Sequence, residues 1–308
     1  MRIVPIIVGP TAVGKSKLAF ELAQRLGSEI VSADARQIYK FMDIGTAKPP
    51  KEWLQIVPHH MIDIVTPDVD FNAWHYACMA RKVIDDIFAR NKLPIVVGGS
   101  GLYIKALVEG FFELPVQPTP ELRNRLRATP TELLYEELKK VDPITANRLA
   151  PRDKHRIARA LEVYYATGKP ISYWQSLPHR RASFTPLYIG LIRERRSLYE
   201  RINIRVDKMF EQGLVEEVKH LLSLGYSRDL NALQTIGYKE VIDYLEGKIT
   251  LDEAKRLIKK HTRMLARRQI QWFKKLPNIE WYTLPDTEVI DKLYKKITHH
   301  ITFTEVVR

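Results

Sequence analysis

Eight residues near the amino terminus, Gly9-Pro10-Thr11-Ala12-Val13-Gly14-Lys15-Ser16, place two glycines, a lysine and a hydroxyl at the spacing of a phosphate cradle. The backbone N–H groups of such a turn converge on phosphate oxygens, and the start of the following helix adds partial positive charge. The lysine adds a full charge, and the serine hydroxyl reaches a magnesium ion. The flanks agree. An apolar run from Ile3 to Val8 precedes the turn, and Lys17-Leu18-Ala19-Phe20-Glu21-Leu22-Ala23 follows it with helical spacing. Strand, glycine-rich turn and helix make a P-loop, so Gly9 through Ser16 is expected to bind a di- or triphosphate. Lys15 and Ser16 are the catalytic members, and Ser16 is the expected magnesium ligand, directly or through water.

Asp34 is the second group with chemical promise. The apolar segment Glu29–Ala33 ends there, and Ala35-Arg36-Gln37-Ile38-Tyr39 follows. A carboxylate beside a bound pyrophosphate makes a stronger base, because nearby negative charge disfavours its ionised form. The plainer role for Asp34 is to cap the turn that follows it. A phosphoryl-transfer enzyme also needs a carboxylate at a strand end to organise magnesium. The strand Pro94-Ile95-Val96-Val97 runs instead into Gly98-Gly99-Ser100-Gly101. The sequence therefore favours a chain that holds phosphates without transferring a phosphoryl group.

These turns need a scaffold, and the first third of the chain reads as β-then-α repeats. Arg2–Val8 is a predicted strand and Lys15–Leu26 a helix stopped at Gly27. Glu29–Ala33 is a second strand, Phe71–Arg90 a helix, Pro94–Val97 a third strand, and another helix starts near Leu102. Such alternation predicts a parallel sheet with ligands at the carboxyl ends of its strands. The stretch Leu114-Pro115-Val116-Gln117-Pro118-Thr119-Pro120 is a proline-rich junction, and the chain from Pro120 to about Gln175 reads as all-helical. Pro186–Ile192 reads as a strand returning to the sheet, followed mostly by helices. The expected organisation is α/β: a P-loop NTPase-like parallel sheet core in residues 1–114 and 184–308, its second part mostly helical, interrupted by a helical insertion domain over 115–183.

Composition narrows the classes. The 308 residues are 45% hydrophobic, enough for a real core. No apolar stretch approaches a bilayer span, and Met1-Arg2-Ile3 leads straight into a strand, so neither a membrane segment nor a secretion signal is expected. The single cysteine, Cys78, precludes an intrachain disulfide and fits a reducing cytosol; a packing role suits it better than a catalytic thiol. His59 and His60 have only His75 nearby and no cysteine cluster, so they are expected to cap or pack a loop rather than bind zinc. The net charge is +13, unevenly spread. Residues 1–119 hold 13 Lys and Arg against 12 Asp and Glu, whereas 120–182 hold 13 against 7 and 183–308 hold 23 against 17. The positive excess lies outside the phosphate-binding segment and fits a polyanion such as nucleic acid.

A series of motifs, in order over nearly the whole chain, resembles the bacterial-type tRNA dimethylallyltransferases (tRNA isopentenyltransferases). The series comprises the P-loop, Ser32-Ala33-Asp34, Gln37-Ile38-Tyr39, Met42-Asp43-Ile44-Gly45-Thr46-Ala47-Lys48-Pro49 and Val57-Pro58-His59-His60-Met61-Ile62-Asp63. It continues with Gly98-Gly99-Ser100-Gly101-Leu102-Tyr103, Arg156 through Tyr164, Thr235-Ile236-Gly237-Tyr238-Lys239, and Thr262-Arg263 through Ala266-Arg267-Arg268-Gln269. The zinc-finger pattern that eukaryotic relatives often carry is absent from the sequence.

The resemblance implies transfer of a dimethylallyl group from dimethylallyl diphosphate to N6 of the adenosine at tRNA position 37. The P-loop would then grip the leaving diphosphate, with Lys15, Ser16 and Mg2+ stabilising the charge that grows on it, and Asp34 would take the proton of N6. Ser100, where the family often has threonine, keeps a hydroxyl near the diphosphate and counts among the catalytic residues. Ala35 replaces a serine that usually contacts the adenine, which leaves Arg36 or Gln37 to compensate. Phe41 stands where glycine is common. The target base must be unstacked, and a basic surface must hold the RNA meanwhile. The expected tRNA-binding residues are Asp34, Ala35, Arg36, Gln37, Ser100, Arg123, His155, Arg156, Ile157, Ala158, Arg159, Gln234, Thr235, Gly237, Tyr238 and Lys239. On spacing alone, His155, Arg156 and Arg159 share a helix face, as do Arg123 and Arg127. A solvated surface would look the same. Arg263, Arg267 and Arg268 form a third cationic stripe, suited equally to phosphate binding and to pairing within the protein. The expected partners are the tRNA anticodon stem-loop and dimethylallyl diphosphate, with a cytoplasmic monomer as the working unit. A small-molecule kinase and a nucleotide-dependent RNA-binding switch are the alternatives; the first lacks its strand-end acid and the second needs no base at Asp34.

Overall fold

The computed structural model describes residues 2–112, 114–178 and 180–306. Its first strand, β1 (Ile3–Val8), is apolar on both faces, as a parallel strand covered on two sides must be. It is followed by α1 (Lys15–Leu26), β2 (Glu29–Ser32), α2 (Lys51–Ile56), the two-residue β3 (His59–His60), α3 (Ala73–Ala89), β4 (Pro94–Gly98) and α4 (Gly101–Glu109). Five helices come next: α5 (Pro120–Ala128), α6 (Thr131–Val141), α7 (Pro143–Ala146), α8 (Lys154–Thr167) and α9 (Ile171–Ser176). Then β5 (Thr185–Arg193) precedes α10 (Arg195–Glu211), α11 (Leu214–Ser223), α12 (Tyr238–Leu245), α13 (Leu251–Phe273), β6 (Glu280–Leu284) and α14 (Val289–Val306).

Two compact units result. Met1–Val108 with Ala182–Arg308 forms the larger, and Glu109–Arg181 the smaller. In the larger unit six parallel strands run in the order β3-β2-β4-β1-β5-β6. Val8 of β1 pairs with Gly98 of β4 and Gly190 of β5, and Ser32 of β2 pairs with Val97. The carboxyl ends of β1, β2 and β4 are therefore level, which brings the P-loop, the Asp34 turn and the glycine cluster to one edge of the sheet. One core is built from Ile7, Leu18, Leu22 and Ile95 with Leu198, Ile202 and Leu293 of the carboxyl-terminal helices.

The smaller unit has its own core of Leu126, Leu134, Leu138, Ile157, Leu161 and Val163. Asp142 is buried between its helices. Its Oδ1 accepts the Thr145 N–H (3.0 Å) at the start of α7, and its Oδ2 accepts the Thr145 hydroxyl (2.8 Å) and the Ser172 N–H (3.0 Å). Among the described residues no helix is long and apolar enough to cross a membrane.

The structure corrects one expectation about elements and adds one strand to the mostly helical carboxyl-terminal part. His59 and His60 are not loop caps but the edge strand β3, paired to Ile30 and Val31. His60 Nε2 meets the buried Glu29 carboxylate at 2.7 Å, where Arg90 and Lys92 also converge. The carboxyl-terminal part also contributes a second strand, β6, which pairs along β5 from Ile189 to Arg193.

Candidate active site

The P-loop turn is shaped by what lies around it. A side chain at Gly9 would place its Cβ 2.5 Å from the Leu191 carbonyl oxygen of β5, so only glycine fits. Ala12 takes a left-handed backbone (φ 64°) and Gly14, the N-cap of α1, has φ 119°. Lys15 Nζ donates to the carbonyls of Gly9 (2.9 Å) and Pro10 (2.8 Å). Burial and then the neighbouring Arg205 lower the Lys15 ammonium to a pKa of about 7, against the opposing pull of Asp34. Ser16 is exposed in the first turn of α1, where the amides have no partner within the helix.

Helices from the far end of the chain complete the cradle. On α10, Arg201, Arg205 and Lys208 recur at i, i+4 and i+7, while Leu198, Ile202 and Val206 face the core. Arg201 Nε donates to the Ala12 carbonyl (2.9 Å), and the Arg205 guanidinium to Thr11 Oγ1 (3.3 Å). Burial depresses the pKa of Arg205, Asp34 counteracts this, and Arg201 adds to it. From α13, Gln269 Oε1 accepts the Thr11 N–H (2.8 Å) and its Nε2 donates to the Gly99 carbonyl (3.0 Å).

Asp34 follows β2 after one residue, Ala33. Its Oδ1 accepts the N–H groups of Arg36 (2.9 Å) and Gln37 (3.4 Å), which is the turn-capping role. Ser100 ties this turn to β4: its Oγ accepts the Ala35 N–H (2.9 Å) and its own N–H donates to the Ala33 carbonyl (3.2 Å). Gln37 lines the same cleft with its side-chain amide engaged within the protein. It is buried, with Nε2 on the carbonyls of Thr46 (3.3 Å) and Ala47 (3.1 Å) and Oε1 accepting from Ser32 (3.2 Å). The Arg36 guanidinium reaches the Asn231 carbonyl (2.9 Å).

Lys15, Ser16, Asp34, Arg201, Arg205 and Gln269 all line one cleft of about 750 Å³ within the larger unit. The side chains of Trp53, Leu54, Ile204 and Met209 give the same cleft an apolar wall. Its far side is the loop Asp43–Lys48, pinned from α11. The Glu217 carboxylate accepts three successive amides, those of Asp43 (2.9 Å), Ile44 (2.7 Å) and Gly45 (3.1 Å), and the Tyr238 hydroxyl (2.6 Å). Among the described residues no three His, Cys, Asp or Glu side chains gather as a metal cage. An exposed serine hydroxyl beside a phosphate cradle nonetheless fits magnesium, which keeps several waters and takes phosphate oxygens as ligands.

The remaining expected RNA-binding residues divide by exposure. In the smaller unit His155 and Arg156 are exposed on α8, and Arg159 is half-buried against Glu162 (3.0 Å). Ile157 and Ala158 point into that unit's core, so their side chains cannot meet RNA. Arg123 is half-buried on α5, and Arg127 is exposed. In the larger unit Gln234 and Lys239 are exposed. Thr235 is half-buried and donates its hydroxyl proton to the Ala232 carbonyl (2.6 Å). Tyr238 is fully buried and Gly237 is buried at the N-cap of α12, so both are internal supports. Arg263 turns inward to Asn203 (2.7 Å), which leaves Arg267 and Arg268 exposed on α13.

Arg201, Arg205 and Glu217 escaped the sequence reading. The cationic spacing along 201–208 was a usable signal; nothing local marks Glu217 as a ligand of the 43–45 amides.

Comparison with known proteins fits this architecture. A family model described as IPP transferase matches residues 37–276, beginning just after Asp34. The chain is 50% identical over 305 residues to the tRNA dimethylallyltransferase of Thermotoga petrophila, covering 97% of this chain and 99% of that one. It is 47% identical over 303 residues to that of a Thermoanaerobacter species, covering 96% of each. Among solved structures, the full-length tRNA isopentenylpyrophosphate transferase of Bacillus halodurans superposes with a TM-score of 0.75 at 37% identity, covering 100% of this chain and 99% of that one. A eukaryotic dimethylallyltransferase acting on tRNA gives 0.81 at 29% identity, covering 100% and 80%. Matched in sequence and fold over almost its whole length, the chain belongs to the IPP transferase family.

Proposed function

We propose that this chain is a tRNA prenyltransferase that moves the dimethylallyl group of dimethylallyl diphosphate to N6 of adenosine 37 in the anticodon loop, releasing diphosphate. The observation that carries this reading is one cleft holding a P-loop, a row of cations, an apolar wall and the Asp34 carboxylate. The diphosphate of the donor lies on the first amides of α1, with Lys15 leaving the Gly9 and Pro10 carbonyls to meet it. Arg205 and Arg201 neutralise its remaining charge. The five-carbon tail rests against Trp53, Leu54, Ile204 and Met209.

In the reaction N6 attacks C1 of the donor. The N6–C1 bond forms as the C1–O bond breaks, and the bonding pair leaves on the diphosphate oxygen. Asp34 takes the N6 proton. Its Oδ1 is fixed by two backbone N–H groups, and Oδ2 makes no hydrogen bond among the described residues, so Oδ2 is the basic atom. Preorganised cations aimed at the leaving oxygens lower the barrier because they need not reorganise as charge moves there. Magnesium held at Ser16 would add Lewis-acid neutralisation of the same oxygens. Ser100 holds the turn that carries Asp34.

The exposed cations of α8 and α13 are offered to the anticodon stem-loop. The working unit in this reading is a cytoplasmic monomer. The test is incubation of radiolabelled dimethylallyl diphosphate with unmodified tRNA. Label should enter the RNA at adenosine 37. Asp34→Asn should keep tRNA affinity and lose turnover by about 10²-fold or more. Full turnover in that variant would refute the assignment of the base.

A further inference from the structure

On α13, Ala266 and Phe273 are buried, and Gln269 and Trp272 lie between them on neighbouring turns. This face meets the glycine cluster after β4. A Cβ at Gly99 would run into Gln269 Nε2, and one at Gly101 into the indole of Trp272. Two glycines two apart thus admit two side chains three apart on a helix. The close approach has a result beyond packing: it delivers a neutral carboxamide into an anion site. Gln269 lines the cleft and joins the P-loop to the β4 turn, accepting from Thr11 N–H and donating to the Gly99 carbonyl.

We infer that Gln269 is a positioning residue for the diphosphate, acting by fixing the Thr11 end of the P-loop against the β4 turn. The loop's other end is fixed by α1 itself. Between them, Val13 N–H turns back to the Pro10 carbonyl (3.4 Å). With Thr11 N–H held by Gln269 and Val13 N–H by Pro10, the amides left for an anion are those of Ala12, Gly14 and the start of α1. Release of Thr11 would let the turn relax and spread those donors. The residue must also be uncharged, because a carboxylate there would face both the Gly99 carbonyl and the bound diphosphate.

This inference rests on the prenyl-transfer reading, yet it is read from binding as well as turnover. Titration of the full chain with inorganic pyrophosphate would compare the wild type, Gln269→Leu and Gln269→Glu. Steady-state kinetics with dimethylallyl diphosphate and tRNA would run in parallel, with thermal melts as the folding control. The Leu variant should weaken pyrophosphate binding and raise the donor KM by about tenfold, the loss of a hydrogen bond's worth of organisation. Its kcat and tRNA KM should stay within about threefold of wild type. The Glu variant, closest in shape, should bind pyrophosphate more weakly than the Leu variant. A residue that only supports the fold would reverse that order, with the Glu variant nearest to wild type. That reversal, or unchanged pyrophosphate affinity in both variants, would overturn the inference. If the wild type bound pyrophosphate but transferred nothing to tRNA, the prenyl-transfer reading alone would fall.

Discussion

Lys15 should make donor binding depend on pH in a way that can be worked out in advance. In the free protein its pKa is lowered from 10.5 to about 7, by burial first and the Arg205 charge second. A diphosphate arriving on the cradle restores the ordinary preference for the ammonium. Binding above neutrality then takes up a proton: about half a proton at pH 7 and about nine-tenths at pH 8. The donor itself contributes little at pH 8, since the last ionisation of such phosphates lies near pH 6. Affinity should therefore fall about tenfold for each pH unit between about 7 and 10, and log KM for the donor should rise with unit slope.

Three variants separate this cause from others. Lys15→Arg keeps its charge throughout and should show a flat profile over the same range. Lys15→Met should also be flat, but weak everywhere. Arg205→Met removes the second cause of the lowered pKa, so the rise in KM should begin at higher pH. Calorimetry in HEPES and Tris would count the protons directly, because the two buffers differ in ionisation enthalpy. A flat wild-type profile from pH 7 to 9, or the same slope in Lys15→Met, would refute the reasoning. The free protein has a matching signature. Its unfolded chain holds more protons on Lys15 between pH 7 and 10.5, so this residue makes the fold more stable as pH rises through that window.

Glu29, at the amino end of β2, should matter for stability and not for turnover. Arg90, opposed by burial and helped by His60 and Lys92, lowers its pKa from 4.5 to about 2. Glu29→Gln should cost about 3 kcal/mol at pH 7, and the difference should shrink as pH falls from 4.5 towards 2, as urea melts across pH would record. In the smaller unit, burial works against the Asp142 carboxylate, but hydrogen bonds from Ser172 and Thr145 outweigh it and hold the pKa below its usual value. Asp142→Ala should cost about 2–4 kcal/mol by leaving those groups unpaired in the interior, visible as a lower urea midpoint. Arg267→Ala with Arg268→Ala should weaken tRNA binding and lower the slope of log K against log salt by about 1.5, with the donor KM unchanged; an unaltered slope would remove α13 from the RNA surface.

What the sequence revealed and what it hid follow the range of the interactions. The P-loop and Asp34 were legible because strand, turn and helix are contiguous, and a continuous apolar run such as Ile3 to Val8 marks a covered parallel strand. The edge strands were not. β3 has only two residues, too few for a period, and β6 reads Glu-Trp-Tyr-Thr-Leu with only its last residue buried. Ile157, Ala158 and Tyr238 sit inside motif stretches that the resemblance assigns to the RNA side. A motif names a segment, whereas a helix turns successive side chains by about 100°, so part of any helical motif faces inward. On α8 the apolar residues Ile157, Ala160 and Leu161 already had the spacing of a buried stripe.

The glycine cluster shows why the convergent half of the site stayed hidden. Read locally, Gly98-Gly99-Ser100-Gly101 at a strand end looks like another phosphate turn. In the fold, each glycine is matched to a neighbour: Gly98 to the Ala33 carbonyl, Gly99 to Gln269 and Gly101 to Trp272. The first contact draws the ends of β2 and β4 together, which fixes the height of Asp34 beside the P-loop. The other two seat α13 and bring Gln269 to Thr11. A side chain at position 98 would have to push those strands apart, and one at 99 would displace the carboxamide, so the cluster sets the Asp34 turn against the P-loop at the edge of the cleft it helps to line. Glycine in a sequence reports only that something comes close. Whether that neighbour is an anion or another part of the chain depends on residues some 170 positions away.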